Sequence, residues 1–275
     1  MEGFRFVNDD FSPAVIGESG QCFRMVTVEE GVTELVALGE CLRLREEEDG
    51  SVLFSCSEED FNNKWKHYFD LDNDYEKYRA IALPDDSYLR EAVSFGRGIR
   101  ILNQESWEML ISFIISQRKS VPAIRTAVER LSRSFGRPFE TEFGMRYAFP
   151  EPERLAAADP EELAACSLGY RVPYILETAR DVCEGRLELT ALESLSTEEL
   201  IECLLKEKGV GIKVASCVAL FGYHRLDVVP VDVWMKRVIE NVYGGELPRE
   251  YKPYAGVIQQ YLFNYARLKG LNQGQ

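Results

Sequence analysis

The residue pattern of this 275-residue chain changes once, near residue 57, from short β-type runs to longer helical runs. Before that point, β-branched or alternating apolar residues are interrupted at short intervals by glycine-containing turns, as hairpins require. Short strands joined by tight turns pair as an antiparallel sheet. The predicted strands are 22–28, 32–38, 40–46 and 51–56.

After residue 57, apolar positions recur at helical spacing. Segment 107–116 is apolar on nearly every face, which predicts a central buried helix, and Ser196 with Glu199 forms a capping-box pattern. The predicted fold class is α+β: an N-terminal antiparallel β-sheet subdomain with flanking helices over residues 1–100, followed by an all-helical body over residues 101–275. Further predicted helices are 57–69, 123–135, 160–167, 173–184, 197–206, 212–223, 232–242 and 253–268.

The net charge of −14 weighs against a nucleic-acid partner, because such proteins neutralise phosphates with Lys and Arg. The excess of acidic groups lies in the first hundred residues, which hold 22 acidic and 11 basic side chains, whereas the rest of the chain holds 24 and 21. Segment 116–137 has six basic side chains and one acidic side chain. A basic face on the helical body is therefore compatible with DNA binding that depends strongly on salt.

The seven cysteines are odd in number and scattered, which favours reduced thiols over disulfides. Cys217 is the last of them, so the chain has no C-terminal four-cysteine cluster for an iron–sulfur centre. No apolar run approaches the ~20 residues that span a bilayer, and the N-terminal residues do not resemble a signal peptide. We expect a cytoplasmic monomer, associated with the nucleoid if prokaryotic, with no membrane contact, metal or cofactor.

Gly209, Val210 and Gly211 form a Gly-x-Gly turn ahead of a predicted helix. The glycines allow positive φ and close approach of the backbone, and the N–H groups at the start of the helix would face an anion. For the Gly-x-Gly pattern alone, an ordinary tight helix–helix turn is the better explanation.

Lys213 lies one position beyond Ile212, in the first turn of that helix. A lysine there is unfavourable for the helix dipole, so a requirement other than helix stability can explain its position. It could act as a nucleophile, for which the amine must be neutral, or simply contact a phosphate from the surface.

Asp232 follows an apolar run and precedes a predicted helix, where aspartate is a favoured N-cap. A capping carboxylate whose second oxygen faces a cavity is also rigidly placed. It could stabilise positive charge on a sugar during cleavage of an N-glycosidic bond.

Strings along nearly the whole chain, from about residue 13 to 270, resemble the lysine-bearing 8-oxoguanine DNA glycosylases of the helix-hairpin-helix superfamily. The matching catalytic segment is GVGIKVASC at 209–217 with VVPVDVWMKR at 228–237. The other strings, in the family's order, are SGQCFR at 19–24, WEMLISFIIS at 107–116, LGYR at 168–171 and GVIQQYLF at 256–263.

The resemblance implies that Lys213 attacks the sugar C1′ and forms a Schiff base, and that Asp232 stabilises the developing cation. It further implies excision of 8-oxoguanine from duplex DNA, with strand scission by β-elimination. Phe263 and Cys217 would sandwich the flipped base, although core packing explains both residues as well. Gln259 would bind the Watson–Crick edge.

The Gly20 carbonyl would accept a hydrogen bond from N7–H, which 8-oxoguanine has and guanine lacks. Without the rest of its string, Gly20 would be read as a turn glycine. Tyr170 and Arg171 would insert into the duplex and read the base opposite the lesion.

One segment and one single position depart from the family pattern. Where human-type members carry an asparagine run that contacts the opposite cytosine, this chain has Gln117, Arg118, Lys119 and Ser120, so the sequence leaves open which base is preferred opposite the lesion. Arg118 and Lys119 could fill the gap or bind phosphate. Trp234 stands where the family often has a histidine.

Two alternative functions remain. A 3-methyladenine-type glycosylase would share the sheet and the helical body, but such enzymes commonly lack the hairpin lysine. A non-catalytic DNA-binding protein would use the hairpin for phosphate alone and would need neither Lys213 nor Asp232.

Overall fold

The computed structural model describes residues 2–8 and 10–270, and it confirms the predicted antiparallel sheet. The sheet has the strand order β1-β5-β4-β3-β2, so four consecutive strands form a meander and the first strand is added beside the last. The strands are β1 (Phe4–Val7), β2 (Met25–Glu29), β3 (Val32–Ala37), β4 (Glu40–Glu46) and β5 (Ser51–Phe54).

Strand β1 was not predicted, and strand β2 starts later in the chain than predicted. β1 is only four residues long, and pairing of Phe4 with Phe54 holds it at the sheet edge. The predicted strand at 22–28 begins only at Met25, because the preceding residues lead into the helical body. There the Gln21 side chain donates to Arg100 O (2.8 Å) and accepts from Leu102 N (2.9 Å).

The helical body confirms the predicted α+β class, and each helix predicted after residue 100 is present within about two residues of its expected ends. Four helices were not predicted: α1 (Pro13–Glu18), α4 (Glu76–Arg79), α5 (Ser87–Phe95) and α8 (Pro152–Ala156). The helices are α1 (Pro13–Glu18), α2 (Glu58–Asp60), α3 (Lys66–Tyr68), α4 (Glu76–Arg79), α5 (Ser87–Phe95), α6 (Ser106–Ser116), α7 (Val121–Phe135), α8 (Pro152–Ala156), α9 (Pro160–Ala165), α10 (Val172–Cys183), α11 (Thr197–Leu204), α12 (Ile212–Gly222), α13 (Val233–Asn241) and α14 (Ala255–Lys269).

The predicted helix at 57–69 contains a turn of π-helix between α2 and α3. Ser57 caps it as expected, accepting from Asp60 N at 3.0 Å. The π turn, Phe61–Trp65, closes with a bond from Lys66 N to Phe61 O, five residues back instead of four, and both of its aromatic ends are buried. Helical periodicity alone does not distinguish this turn from an α-helix.

A second, two-stranded sheet was also not predicted. It consists of β6 (Pro138–Thr141) and β7 (Gly144–Tyr147), which form a hairpin between α7 and α8. Arg146 of β7 bonds to the Glu34 carboxylate of β3 at 2.7 and 2.8 Å, so this hairpin is attached to the large sheet by an ion pair. Such a contact between distant segments has no local sequence signal.

Two hydrophobic clusters underlie these elements, one beneath the sheet and one inside the helical body. Nine of the eleven residues of α6 are buried, and six of them belong to the cluster inside the helical body, which confirms α6 as the central helix. The predicted capping box of α11 is confirmed too, since Ser196 and Glu199 bond reciprocally. The boundary at residue 100 stays a prediction, and residues 271–275 of the predicted helical body lie outside the described residues.

Candidate active site and DNA interface

The glycine hairpin joins α11 to α12, and its two glycines have different roles. Gly209 has φ +81°, and a Cβ there would lie 2.3 Å from the Tyr174 ring, so both conformation and packing require glycine. Gly211 is the N-cap of α12 with φ −94°, so it does not use the positive φ that glycine allows. A Cβ at Gly211 would meet no protein atom within 4 Å, which leaves its backbone open to a ligand.

Val210 contributes less to an anion site than predicted. Its side chain is buried, and its backbone N–H already donates to Glu207 O at 3.1 Å. The groups that remain for a phosphate are those at the exposed start of α12, beside Gly211 and Ile212.

Lys213 is half-buried in the first turn of α12. Its Nζ donates to Ser116 Oγ at 3.3 Å and lies 5.0 Å from the centre of the Phe113 ring. Both contacts come from α6, so the amine rests against the end of the central helix rather than extending into solvent.

Asp232 is the N-cap of α13, as predicted, and its Oδ1 accepts from Met235 N at 2.8 Å. A capping aspartate is held in one orientation by this bond. Asp232 also lines the same small cavity as Lys213. The same carboxylate therefore caps α13 and forms part of the cavity wall.

That inner cavity, of about 40 Å³, brings together six of the predicted site residues from four separate parts of the chain. Its volume has room for a few water molecules but not for a purine. The lining residues are Gly20, Phe113, Lys213, Cys217, Phe221, Pro230, Asp232, Gln259, Gln260 and Phe263.

Gln259 presents an unsatisfied acceptor at this cavity. The side chain is 4% exposed, and its Oε1 has no hydrogen-bond partner among residues 2–8 and 10–270. A buried acceptor without a partner costs about 1–3 kcal/mol. A ligand with N–H donors would remove that cost, which is the arrangement expected of a binding group.

Gly20 and Phe263 close one side of the cavity. Gly20 has φ +79°, and a Cβ on it would lie 3.1 Å from Phe263 Cε1. The turn that carries Gly20 is fixed by Gln260, whose Nε2 donates to Ser19 O at 2.7 Å. Gln260 was not predicted as a site residue, although two adjacent amides in a largely buried helix were a usable signal.

Cys217 faces the cavity one helical turn after Lys213. Burial raises the pKa of the Cys217 thiol, and the nearby Lys213 amine only partly offsets this rise. The group therefore stays an uncharged thiol at neutral pH and offers the cavity a polarisable, mainly apolar surface.

The inner cavity opens into a wider groove of about 580 Å³, with which it shares Gly20, Phe113, Lys213, Asp232 and Phe263. We call it the outer groove. It combines four cationic side chains with apolar and aromatic side chains, the composition that suits a nucleotide. Its further lining residues are Phe23, Ser116, Gln117, Arg118, Lys119, Val121, Ile124, Val231, Val233, Trp234 and Lys236.

The predicted loop residues Arg118 and Lys119 both line this groove. Arg118 is exposed and has φ +52°, an uncommon backbone conformation for a residue other than glycine. Partial burial and the Arg171 guanidinium lower the pKa of Lys119. Trp234, the other departure from the family pattern, lies beneath the Arg237 guanidinium at 5.4 Å.

Tyr170 and Arg171 lie outside both cavities. Tyr170 is 49% exposed, whereas Arg171 is only 5% exposed and stacks on the Tyr170 ring at 4.3 Å. The guanidinium of Arg171 donates to Leu168 O (3.0 Å) and to Gln117 O. Arg171 must leave these carbonyls to read a base, so its predicted role stays a prediction.

Comparison with known proteins places this site in a family. The model of the 8-oxoguanine DNA glycosylase N-terminal domain matches residues 5–110, and that of the HhH-GPD superfamily of base excision DNA repair proteins matches residues 111–252. The chain belongs to the 8-oxoguanine DNA glycosylase family. The predicted family is thereby confirmed.

Three relatives of this glycosylase cover most of its length. MBOgg1, solved with a low-affinity DNA ligand, is 37% identical over 98% of each chain with a TM-score of 0.90. The Clostridium acetobutylicum 8-oxoguanine glycosylase/lyase, solved with double-stranded DNA containing cytosine opposite 8-oxoguanine, is 32% identical over 95% of this chain and 93% of that one, with a TM-score of 0.88. A probable N-glycosylase/DNA lyase of Methanothermobacter thermautotrophicus is 30% identical over 76% of this chain and 75% of its own length.

Two absences concern the described part of the glycosylase. No helix within residues 2–8 and 10–270 has the length and apolar character to cross a bilayer. Within the same ranges, no three His, Cys, Asp or Glu side chains are grouped so that they could hold a metal ion.

The unsatisfied acceptor of Gln259 makes a stability prediction. Gln259→Met removes a buried acceptor without a partner at similar volume, so we expect the free energy of unfolding of the DNA-free protein to rise by about 1 kcal/mol. Gln260→Met is the matched control, and it should lower that energy because it strands the Ser19 carbonyl. Urea unfolding measures both changes, and a decrease for both variants would contradict the role given to Gln259.

Proposed function

We propose that this chain is a bifunctional base excision repair enzyme, a DNA N-glycosylase with abasic-site lyase activity. Its substrate would be duplex DNA that contains 8-oxoguanine. The enzyme would extrude the damaged nucleotide, excise its base and then cut the strand. The observation that carries the proposal is one cavity lined by an amine, a carboxylate, the Gly20 turn and a buried acceptor without a partner.

Lys213 is the nucleophile in this account. Its Nζ attacks C1′ of the extruded nucleotide, the bond from C1′ to N9 breaks, and the base leaves with the bonding electrons. Opening of the sugar ring gives a Schiff base between Lys213 and C1′. Loss of a proton from C2′ then expels the 3′ phosphate, which is β-elimination.

Asp232 acts on the charge that this reaction creates. Positive charge builds on the sugar as the glycosidic bond breaks, and a carboxylate fixed before the reaction stabilises it without reorganisation. The bond from Met235 N to Oδ1 supplies that fixation and holds the carboxylate at the cavity wall.

Two acceptors would select the base. The Gly20 carbonyl attracts N7–H of 8-oxoguanine and repels the N7 lone pair of guanine. Gln259 Oε1 would accept from the N–H donors of the Watson–Crick edge. A polar site that loses its partner rejects the wrong ligand far more strongly than an apolar site does.

A purine enters only if the cavity enlarges. Phe263 rests against Gly20 in the free protein, so we propose that its ring moves aside and then packs on the extruded base, opposite Cys217. Extrusion itself costs a few kcal/mol of lost stacking and pairing.

The outer groove would hold the DNA around the lesion, with Arg118 and Lys119 near phosphate and the exposed start of α12 as an anion site. Because the protein is acidic overall, affinity should fall steeply with added salt. Cytoplasmic location, at the nucleoid in a prokaryote, and a monomeric state stay predictions.

Borohydride trapping tests the proposed reaction. It reduces a Schiff base to a stable amine, so wild-type protein should form a covalent complex with an 8-oxoguanine duplex and Lys213→Gln should form none. Lys236→Gln, which also removes a cation from the outer groove, is the control and should still trap. Release of 3-methyladenine without trapping would instead support an alkylbase glycosylase.

Asp232→Asn tests the carboxylate. Asparagine caps helices as well as aspartate does, so the variant should fold and its DNA affinity should stay within a few-fold of wild type. The rate of single-turnover base release should fall by about a hundredfold, because the fixed negative charge is lost. Asp159→Asn makes the same change at the N-cap of α9, remote from both cavities, and should have no effect on the rate. Unchanged base release in Asp232→Asn would remove Asp232 from the mechanism.

A further inference from the structure

Ser116 contacts the lysine of the active site, although it belongs to no motif of the hairpin. It is the last residue of α6 and is 7% exposed. Its Oγ donates to Phe113 O at 2.7 Å, and Lys213 Nζ donates to the same Oγ at 3.3 Å. The hydroxyl therefore stands between the helix backbone and the amine.

The direction of these two bonds follows from the single proton of a hydroxyl. Since that proton is engaged by the Phe113 carbonyl, the oxygen can only accept from Lys213. A neutral amine has two N–H groups and one lone pair. When Ser116 holds one N–H, the lone pair is restricted to directions away from Ser116.

The Phe113 ring restricts the amine further. Its centre lies 5.0 Å from Lys213 Nζ, and the electron-rich face of an aromatic ring attracts N–H and repels a lone pair. Ser116 and Phe113 therefore disfavour two directions for the lone pair of the Lys213 amine. The direction toward the inner cavity, which Lys213 lines with Asp232, remains open to the lone pair.

The neighbouring residue fixes the backbone that carries the lysine. Gln117 Nε2 donates to Gly209 O at 3.0 Å and to Ile114 O at 3.0 Å. The end of α6 thus holds both the hairpin before Lys213 and the amine itself. Because α6 is the central buried helix, this support is rigid.

We propose that Ser116 is a positioning residue for Lys213, which directs the lone pair of the amine toward C1′ of the extruded nucleotide. The inference rests on the proposed function, since it takes Lys213 as the nucleophile. Ser116 lines only the outer groove and does not line the inner cavity, so it acts through the lysine. A misdirected nucleophile reacts more slowly even when binding is intact.

Ser116→Ala tests the proposal against Ser112→Ala. Ser112 lies one turn earlier on α6, is fully buried, and its hydroxyl has no partner within the described residues, so its loss should be harmless. Single-turnover trapping is measured over a range of protein concentrations. We expect Ser116→Ala to lower the maximal trapping rate roughly tenfold, with the half-saturating concentration within twofold of wild type.

Two further substitutions separate the hydrogen bond from packing. Ser116→Cys keeps the size but is a weak acceptor, so it should lose activity like alanine, and it replaces Ser116→Ala if that variant is unstable. Ser116→Thr keeps the hydroxyl and should retain at least a third of the wild-type maximum. A maximal rate for Ser116→Ala or Ser116→Cys within twofold of Ser112→Ala would overturn the proposal, as would a loss expressed only in the half-saturating concentration.

Failure of this inference differs from failure of the proposed function. If the wild-type protein traps no DNA, or if Lys213→Gln traps DNA as well as the wild type does, the proposed reaction is wrong. If trapping depends on Lys213 but is indifferent to Ser116, the reaction stands and only the positioning role is lost.

Discussion

Phe113 holds together three of the segments from which the site is built. Its ring stacks on Phe221 of α12 at 5.6 Å, meets Phe23 edge-on at 5.5 Å, and lies beneath Lys213 Nζ. It thereby connects the central helix, the hairpin helix and the segment that leads from Gly20 to the sheet. The α+β architecture matters to function at this point, because the sheet subdomain delivers one wall of the inner cavity and the helical body delivers the others.

The inner cavity of the free protein is small, and Gln259 Oε1 at its wall has no hydrogen-bond partner in the part of the chain that the structure describes. A buried acceptor of this kind lowers the stability of the fold. A folded protein tolerates that loss where a ligand later donates a hydrogen bond to the acceptor. The remaining walls, Cys217, Phe221 and Phe263, are apolar and fit the faces of a flat base. In the proposed function, recognition of the lesion would therefore depend on two acceptors in a site that otherwise offers only packing.

Local sequence signals predicted much of this arrangement. Asp232 is found as a helix cap, and Gly209 as a turn glycine, because each role depends on neighbouring residues. Contacts across the chain could not be predicted in this way: the bond from Lys213 to Ser116, and the docking of Arg171 on the Gln117 carbonyl, join segments 97 and 54 residues apart.

The central claim is that the Lys213 amine, placed against α6 and beside Asp232, is the group that bonds to the sugar. Peptide mapping of the borohydride-trapped complex by mass spectrometry tests it most directly. We expect a deoxyribose adduct on the peptide that contains Lys213. An adduct on Lys119 or Lys236, which line the outer groove but not the inner cavity, would contradict it.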